Sequence, residues 1–429
     1  MRRRFLISVL ASDVIALGIS LSLALWIVFG EPRPWAVSLP SSATTSIWPF
    51  VATLLAGMLL GSFVSFRMWG RATPRPSYGR ALAIGSVTIT VAAIGVALLR
   101  PYYSNSVLVI TTAGWLVGAI GHRAIRRRRP WTEQMVVVTG EKGLVDDLRN
   151  ADHADVLAVY DPGDAAPEGL VPGDLLLAID LRPVLSDKMA QFVSSWNLAG
   201  YPVRSLTAVY EEHTGRLPIV HLAEGWELTA PVERNLYGPY KRGIDVALTT
   251  LLSPLWVPLM ALVWVAVRID SKGPTVYRQE RVGLGGKLFT LYKFRTMVVD
   301  AERNGPQFAA RGDDRLTRVG RWLRRFRMDE LPQLWNVFKG DLSLVGPRPE
   351  RPIFTRRFDL TIPFYQYRHL VRPGVTGWSQ VNYGYADDEA QTVDKLTYDL
   401  YYIKHMSPWL DAQILGQSIW TVLSGFGAQ

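Results

Sequence analysis

Four long apolar runs fill the start of this chain, roughly Phe5–Phe29, Ile47–Phe66, Ala81–Leu99 and Val107–Ile120, and nothing else in it restricts the fold as much. A helix needs about 20 apolar residues to cross the hydrocarbon of a bilayer. The first three runs approach or exceed that length, and the fourth does so if it extends to Ile125. The first run is longer than the core of a cleaved signal peptide and further spans follow it, so it reads as a retained span.

Charges in the connections orient the runs. Arg2, Arg3 and Arg4 precede the first, Arg67, Arg71, Arg75 and Arg80 separate the second from the third, and Arg123 with Arg126 to Arg129 follows the fourth. The alternate loops carry only Arg33 and Arg100 as basic residues. That asymmetry predicts a multi-pass membrane protein whose N-terminus, middle loop and everything after Arg129 are cytoplasmic. Asp13, inside the first run, is costly in lipid and is expected to face a neighbouring helix.

With 429 residues the chain can form two or three domains. Its net charge of +10 asks for an anionic partner: lipid headgroups, a phosphorylated substrate or nucleic acid. Nucleic acid is excluded, because the arginines cluster beside apolar runs and no aromatic-basic RNA motif appears. The lack of cysteine excludes disulfides and thiolate chemistry.

From Met135 to about Leu222 the pattern becomes MVVVTG, VLAVYD, DLLLAID and PVRSLTAVY, separated by polar helical stretches. Short apolar strands alternating with helices predict a small parallel sheet, a Rossmann-like α/β module. Thr139 to Gly143 stands where a dinucleotide fingerprint would, but lacks the third glycine and the G-x-G spacing. A scaffold or dimerisation module is favoured over a nucleotide site, and a homodimer is expected.

A fifth run, Ile244 to Val267, is long enough to span, yet Lys241 and Arg242 precede it and Arg268, Lys272, Arg278 and Arg281 follow. Both flanks read as cytoplasmic, which one crossing cannot satisfy. Ser253-Pro254 in its middle breaks a helix. A helix that enters the bilayer, bends there and leaves by the same face meets both constraints; a kinked spanning helix is the alternative.

Beyond it, Leu316, Val319, Trp322, Leu323 and Phe326 recur at three- and four-residue steps among Arg315, Arg318, Arg321, Arg325 and Arg327. This predicts a helix in the headgroup plane, or a solvated basic helix. Asp329 and Glu330 follow directly, ahead of LPQLWNVF, at an expected helix N-terminus. Paired carboxylates among arginines suit phosphoryl transfer: guanidinium groups and a divalent metal neutralise phosphate oxygens, and an ionised carboxylate can attack phosphorus. His369 and His405 are isolated and read as structural, and the glycines of RVGLGGK read as a turn between strands.

KRGIDVALTTLLSP, RQERVG, YKFRTM, DELPQLWNVFKGDLSLVGPRP and RPGVTGWSQV, in this order, resemble the bacterial sugar transferases, the monotopic phosphoglycosyl transferases. The preceding spans and α/β module, with PVERNLY, resemble the longer undecaprenyl-phosphate galactose or glucose phosphotransferases. The resemblance implies three parts: four transmembrane helices over 1–129, the Rossmann-like module over 130–235, and a re-entrant helix with a mainly α-helical catalytic domain over 236–429.

It further implies transfer of hexose 1-phosphate from a UDP-sugar to undecaprenyl phosphate with release of UMP, using Mg2+. Asp329 would be the nucleophile and Glu330 its partner, both near the metal. Arg324 and Arg348 would hold phosphates; Lys293, Arg295 and Arg372 would lie near the nucleotide or lipid phosphate; Ser253 and Pro254 would be the re-entrant kink. Arg327-Met328 stands where the family usually has Ser-Leu. A catalytically silent membrane scaffold is the rival reading.

Overall fold

The computed structural model describes residues 2–37, 47–68, 78–99, 105–127, 132–165, 175–219, 237–299, 301, 315–383 and 389–424. Arg71, Arg75, Arg100, Arg128 and Arg129 of the orientation argument and most of PVERNLY lie outside them. The chain divides into two compact units, Met1–Thr132 and Glu133–Gln429.

The first unit contains α1 (Arg2–Phe29), α2 (Trp48–Met68), α3 (Tyr78–Leu99) and α4 (Asn105–Arg127), with α1 packed along α4 and α2 along α3. Gly57 and Gly61, one helical turn apart, let α2 and α3 approach closely: a Cβ on Gly57 would stand 2.8 Å from the Cα of Thr88. Close backbone approach through small residues is how helices gain contact where the surroundings are apolar. Of these helices, Ser8–Phe29 and Asn105–Arg126 are long and apolar enough to cross a membrane, while Trp48–Val64 and Gly79–Gly95 are shorter apolar stretches.

Asp13 faces α4, as its cost in lipid requires. Its carboxylate accepts from both terminal nitrogens of Arg123, each at 2.6 Å, and lies 2.8 Å from His122 Nε2. Its carbonyl accepts from Trp115 Nε1 at 3.0 Å.

The second unit begins with β1 (Glu133–Val138), α5 (Lys142–Arg149), β2 (Ala154–Tyr160), β3 (Leu176–Ile179), α6 (Asp187–Leu198), β4 (Val203–Ser205) and α7 (Leu206–Thr214). The strands are parallel in the order β2-β1-β3-β4. Leu144, Val145 and Leu148 of α5 and Leu206, Val209 and Tyr210 of α7 fill the core on one face; Met189 and Trp196 of α6 cover the other. PVRSLTAVY is therefore only briefly a strand. Ser205 caps α7 by accepting from Ala208 N, and the three- and four-residue spacing of its apolar residues gives α7 its buried side.

The crevice at the carboxyl ends of β1 and β3, where such sheets bind nucleotides, is occupied by the chain itself. Arg182 pairs with Asp180 at 2.8 Å and Glu141 at 3.1 Å, and Thr139 Oγ1 donates to Asp180 at 3.0 Å.

The sequence continues through α8 (Tyr237–Leu251) and α9 (Ser253–Asp270), which meet at Leu252, with Ser253-Pro254 opening α9. Next come the antiparallel pair β5 (Val276–Val282) and β6 (Leu288–Phe294); Gly285 and Gly286 between them adopt φ of 63° and 75°, so RVGLGGK is the turn its composition predicts. Then follow α10 (Arg318–Arg325), α11 (Gln333–Lys339), β7 (Ser343–Val345), α12 (Pro352–Thr361), β8 (Gly374–Thr376), α13 (Trp378–Asn382), α14 (Glu389–His405) and α15 (Pro408–Ser424), with β7 and β8 parallel.

The end of α7 joins this part to the α/β module: Glu211 accepts from Lys404 at 2.8 Å and lies 2.7 Å from His405, and Trp378 Nε1 donates to the carbonyl of Gly215 at 2.8 Å. His405 is thus a structural residue, as its isolation in the sequence suggests.

Candidate active site

The site is built where α10 ends. Thr317 caps α10 by accepting from Gly320 N at 2.9 Å, and Leu323 buries against Val263, Val267 and Phe294. Gly320 lies so close to β6's exit that a Cβ would sit 2.0 Å from the carbonyl oxygen of Thr296. Gly320→Ala is expected to lower stability by about 1–3 kcal/mol through overpacking, even after the up to about 1 kcal/mol that alanine gains in a helix. Thermal unfolding of the purified protein checks this, and an unchanged midpoint contradicts it.

The apolar stripe read from Leu316 to Phe326 is only partly helical. Leu316 forms an isolated bridge with Met297, and α10 stops at Arg325. Arg327 then takes a left-handed conformation, φ 51°, which reverses the chain. Trp322 remains 53% exposed beside Phe326, leaving an aromatic pair on the surface. The acids stand on the 3-10 turn Met328–Glu330, which runs through Leu331 and Pro332 into α11, so the dyad lies just ahead of that helix rather than within it.

Within that turn the two acids have opposite surroundings. Glu330 is buried, and its Oε1 accepts from Lys293 Nζ of β6 and from Arg348 Nη2, each at 3.1 Å. Asp329, half-buried, makes no hydrogen bond or ion pair among the described residues. Burial, and next the charge of Glu330, push Asp329 up to about 6 against the pull of Lys293, Arg324 and Arg348. Burial also works against ionised Glu330, but Lys293 and Arg348 outweigh it and hold that acid far below the usual carboxylate range.

Of the other residues predicted from sequence, Arg324 donates from Nε to Thr296 Oγ1 at 3.1 Å and helps hold Asp329 ionised. Arg295 is buried at the end of α9: its Nη2 donates to the carbonyl and hydroxyl of Ser271 at 2.8 and 2.6 Å, while Nε and Nη1 have no partner among the described residues. Arg372 donates to the carbonyl of Gly340 at 3.2 Å, behind α11. Lys293, Arg348 and Arg324 therefore gather around the dyad, whereas Arg295 and Arg372 are held elsewhere.

Sequence reasoning missed the residues that fix this arrangement. Asn336 on α11 accepts from Tyr292 N at 3.1 Å and donates to Thr290 O at 2.7 Å, tying the turn to β6. Glu350, just past Gly346-Pro347-Arg348-Pro349, takes Lys395 at 2.9 Å, and Arg368 joins Arg348 to Asp399. Only the carboxylate directly after Gly-Pro-Arg-Pro could have flagged this group.

The bacterial sugar transferase family pattern matches residues 236–425. A UDP-glucose:undecaprenyl-phosphate glucose-1-phosphate transferase of Caulobacter vibrioides is 40% identical over 198 residues, 45% of this chain and 73% of that protein. The chain belongs to the bacterial sugar transferase family. It is also 45% identical over 262 residues to a UDP-N-acetylgalactosamine-undecaprenyl-phosphate N-acetylgalactosaminephosphotransferase of Aeromonas hydrophila, a match covering 61% of this chain and 62% of that protein. A UDP-glucose:undecaprenyl-phosphate glucose-1-phosphate transferase of Xanthomonas campestris pv. campestris is 40% identical over 210 residues, 48% of this chain and 42% of that protein. The chain thus spans between two fifths and three quarters of the length of these relatives.

Proposed function

We propose that this bacterial sugar transferase moves a sugar 1-phosphate from a UDP-sugar to undecaprenyl phosphate through an ester on Asp329. One observation carries the reading: Glu330 takes both Lys293 and Arg348, which leaves the adjacent carboxylate unpaired among the described residues yet close to three cations. An Asp329 oxygen attacks the β-phosphorus of the UDP-sugar. The bond from that phosphorus to the bridging oxygen breaks, and UMP leaves with the oxygen and its electron pair. A phosphate oxygen of undecaprenyl phosphate then attacks the same phosphorus, releasing the carboxylate and forming undecaprenyl-diphosphate-sugar. Arg324 and Arg348 supply donors for the charge that develops on the phosphoryl oxygens.

Two adjacent carboxylates suit Mg2+, which commonly takes one or two protein carboxylates and completes its shell with water and substrate phosphate oxygens. Asp329 and Glu330 would hold it, and when bound it would neutralise phosphate charge. The sugar is of the glucose or galactose type, and the Aeromonas relative extends that class to its 2-acetamido derivatives.

The re-entrant reading of α8 and α9 draws support from their ends. Near the start of α8, Lys241 pairs with Asp411 and Asp245 accepts from Ser343 Oγ at 2.7 Å; at the far end of α9, Asp270 accepts from Val319 N at 3.1 Å. Both ends thus rest on the same catalytic body. This reading puts the catalytic part and the α/β module on the cytoplasmic side of the inner membrane. A homodimer through the α/β module belongs to the same proposal, supported by the exposed Leu181 and Val184 beside its self-filled crevice. Light scattering in detergent at the mass of one chain would contradict the dimer.

The function is tested by UMP release from purified protein in detergent with undecaprenyl phosphate, Mg2+ and a panel of UDP-glucose, UDP-galactose and UDP-N-acetylgalactosamine. Repeated turnover that needs the lipid phosphate and stops on chelation is expected, with no more than one UMP per chain released when the lipid is left out. No release from any of the three contradicts the reading.

A further inference from the structure

Arg348 reaches Glu330 from a loop rather than from a helix or strand, so something must hold that loop. Its backbone is pinned from several directions: Gly346 N donates to Thr376 O and Gly374 N to Pro347 O, both at 2.9 Å, and Val282 N donates to Glu350 O at 3.0 Å. Arg281 Nη1 adds a bond to Pro349 O at 2.9 Å. The carbonyl of Arg348 itself accepts from Arg368 Nη2 at 3.0 Å.

Arg368 is only 5% exposed and uses both sides of its guanidinium. Nη2 also donates to Asp399 Oδ2 at 2.8 Å, while Nη1 donates to the hydroxyl of Tyr365 and lies 3.9 Å from Glu350 Oε1. Asp399 is fixed in turn by Ser379 Oγ at 2.6 Å, and Glu350 by Lys395 Nζ at 2.9 Å. These groups come from β5, the Gly-Pro-Arg-Pro loop, the segment before β8, α13 and α14, and they converge on the backbone that carries Arg348.

We propose that Arg368, clamped between Asp399 and Glu350, is a positioning residue that sets Arg348 against Glu330 and so keeps Asp329 unpaired for reaction. The proposal rests on the function given above. Arg368 touches neither acid; it acts through the carbonyl of Arg348. A planar fork is needed, because one ammonium cannot reach the Arg348 carbonyl, Asp399 and Tyr365 together. Without the clamp the backbone that carries Arg348 loses one of its pins, the contact between Arg348 and Glu330 loosens, and the cations around the dyad lose their register.

Two variants test this in the full-length protein: Arg368→Lys, and the nearly isosteric Asp399→Asn in case the first does not fold. Each is expected to lower kcat for UMP release roughly 100-fold, the scale of a 1 Å misplacement, with KM for the UDP-sugar little changed. In an Arg348→Ala background the same change is expected to cost less than about twofold, because residues acting as one unit are not additive. An equal loss in both backgrounds makes Arg368 merely structural and overturns the proposal.

A second readout does not need turnover. In 15N-arginine NMR spectra of the protein in nanodiscs, the Arg348 side chain, assigned with Arg348→Lys, is expected to be ordered in the wild type and mobile in both variants. Unchanged order in the variants overturns the proposal whatever the assay gives. A wild type inert toward every UDP-sugar overturns the function alone, and the NMR comparison still decides the clamp.

Discussion

Asp329→Asn is expected to abolish UMP release, by at least roughly 10^4-fold, because removing a nucleophile costs the whole covalent route and leaves only binding and electrostatic effects. The loss should come without a loss of fold. Asp329 is pushed up to about 6 in the folded chain, mainly by burial, against about 3.9 for a free aspartate. Its ionised form is therefore disfavoured in the fold, and as pH rises from about 4 through 6 that carboxylate increasingly opposes folding. At neutral pH the asparagine variant should melt at or above the wild-type temperature while being inactive. A variant that is inactive because it melts lower would not support a catalytic role. Activity within tenfold of wild type would exclude Asp329 as the nucleophile.

The largest effect on stability is expected in the first unit. Asp13→Asn leaves the Arg123 guanidinium, 2% exposed, without the carboxylate that both of its terminal nitrogens reach. Removing one partner of a buried pair costs about 3–5 kcal/mol, because the other charge stays buried and uncompensated. Replacing both, Asp13→Leu with Arg123→Met, should recover most of that loss, since an apolar pair of similar volume carries no desolvation cost. Unfolding of the detergent-solubilised protein by a graded denaturing surfactant orders the three proteins. If Asp13→Asn resists as well as the wild type, the pair does not join α1 to α4.

Local rules were legible in the sequence, and long-range ones were not. The apolar runs, the glycine turn between β5 and β6, and the need for Asp13 to face another helix all follow from residues within one element or from the cost of a charge in lipid. PVRSLTAVY misled because a short strand and a helix share one apolar stretch, and Ser205 decides where one stops. The dyad's turn could not be read because Arg327 adopts φ 51°, a conformation that its side chain does nothing to announce. The clamp on Arg348 was invisible because Arg281, Arg368, Lys395 and Asp399 come from separate elements, and no spacing rule connects them. Motif resemblance singled out Lys293 and Arg348, and the folded chain adds which acid they hold and which they leave free.

The most direct test follows the phosphorus. Full-length protein is mixed with UDP-sugar labelled with 32P at the β-phosphate, without undecaprenyl phosphate, then quenched and digested. Label is expected on the peptide containing Asp329, to be absent in Asp329→Asn, and to move to lipid when undecaprenyl phosphate is added before the quench. Label that reaches the lipid without ever appearing on that peptide, or that appears on another residue, contradicts the account.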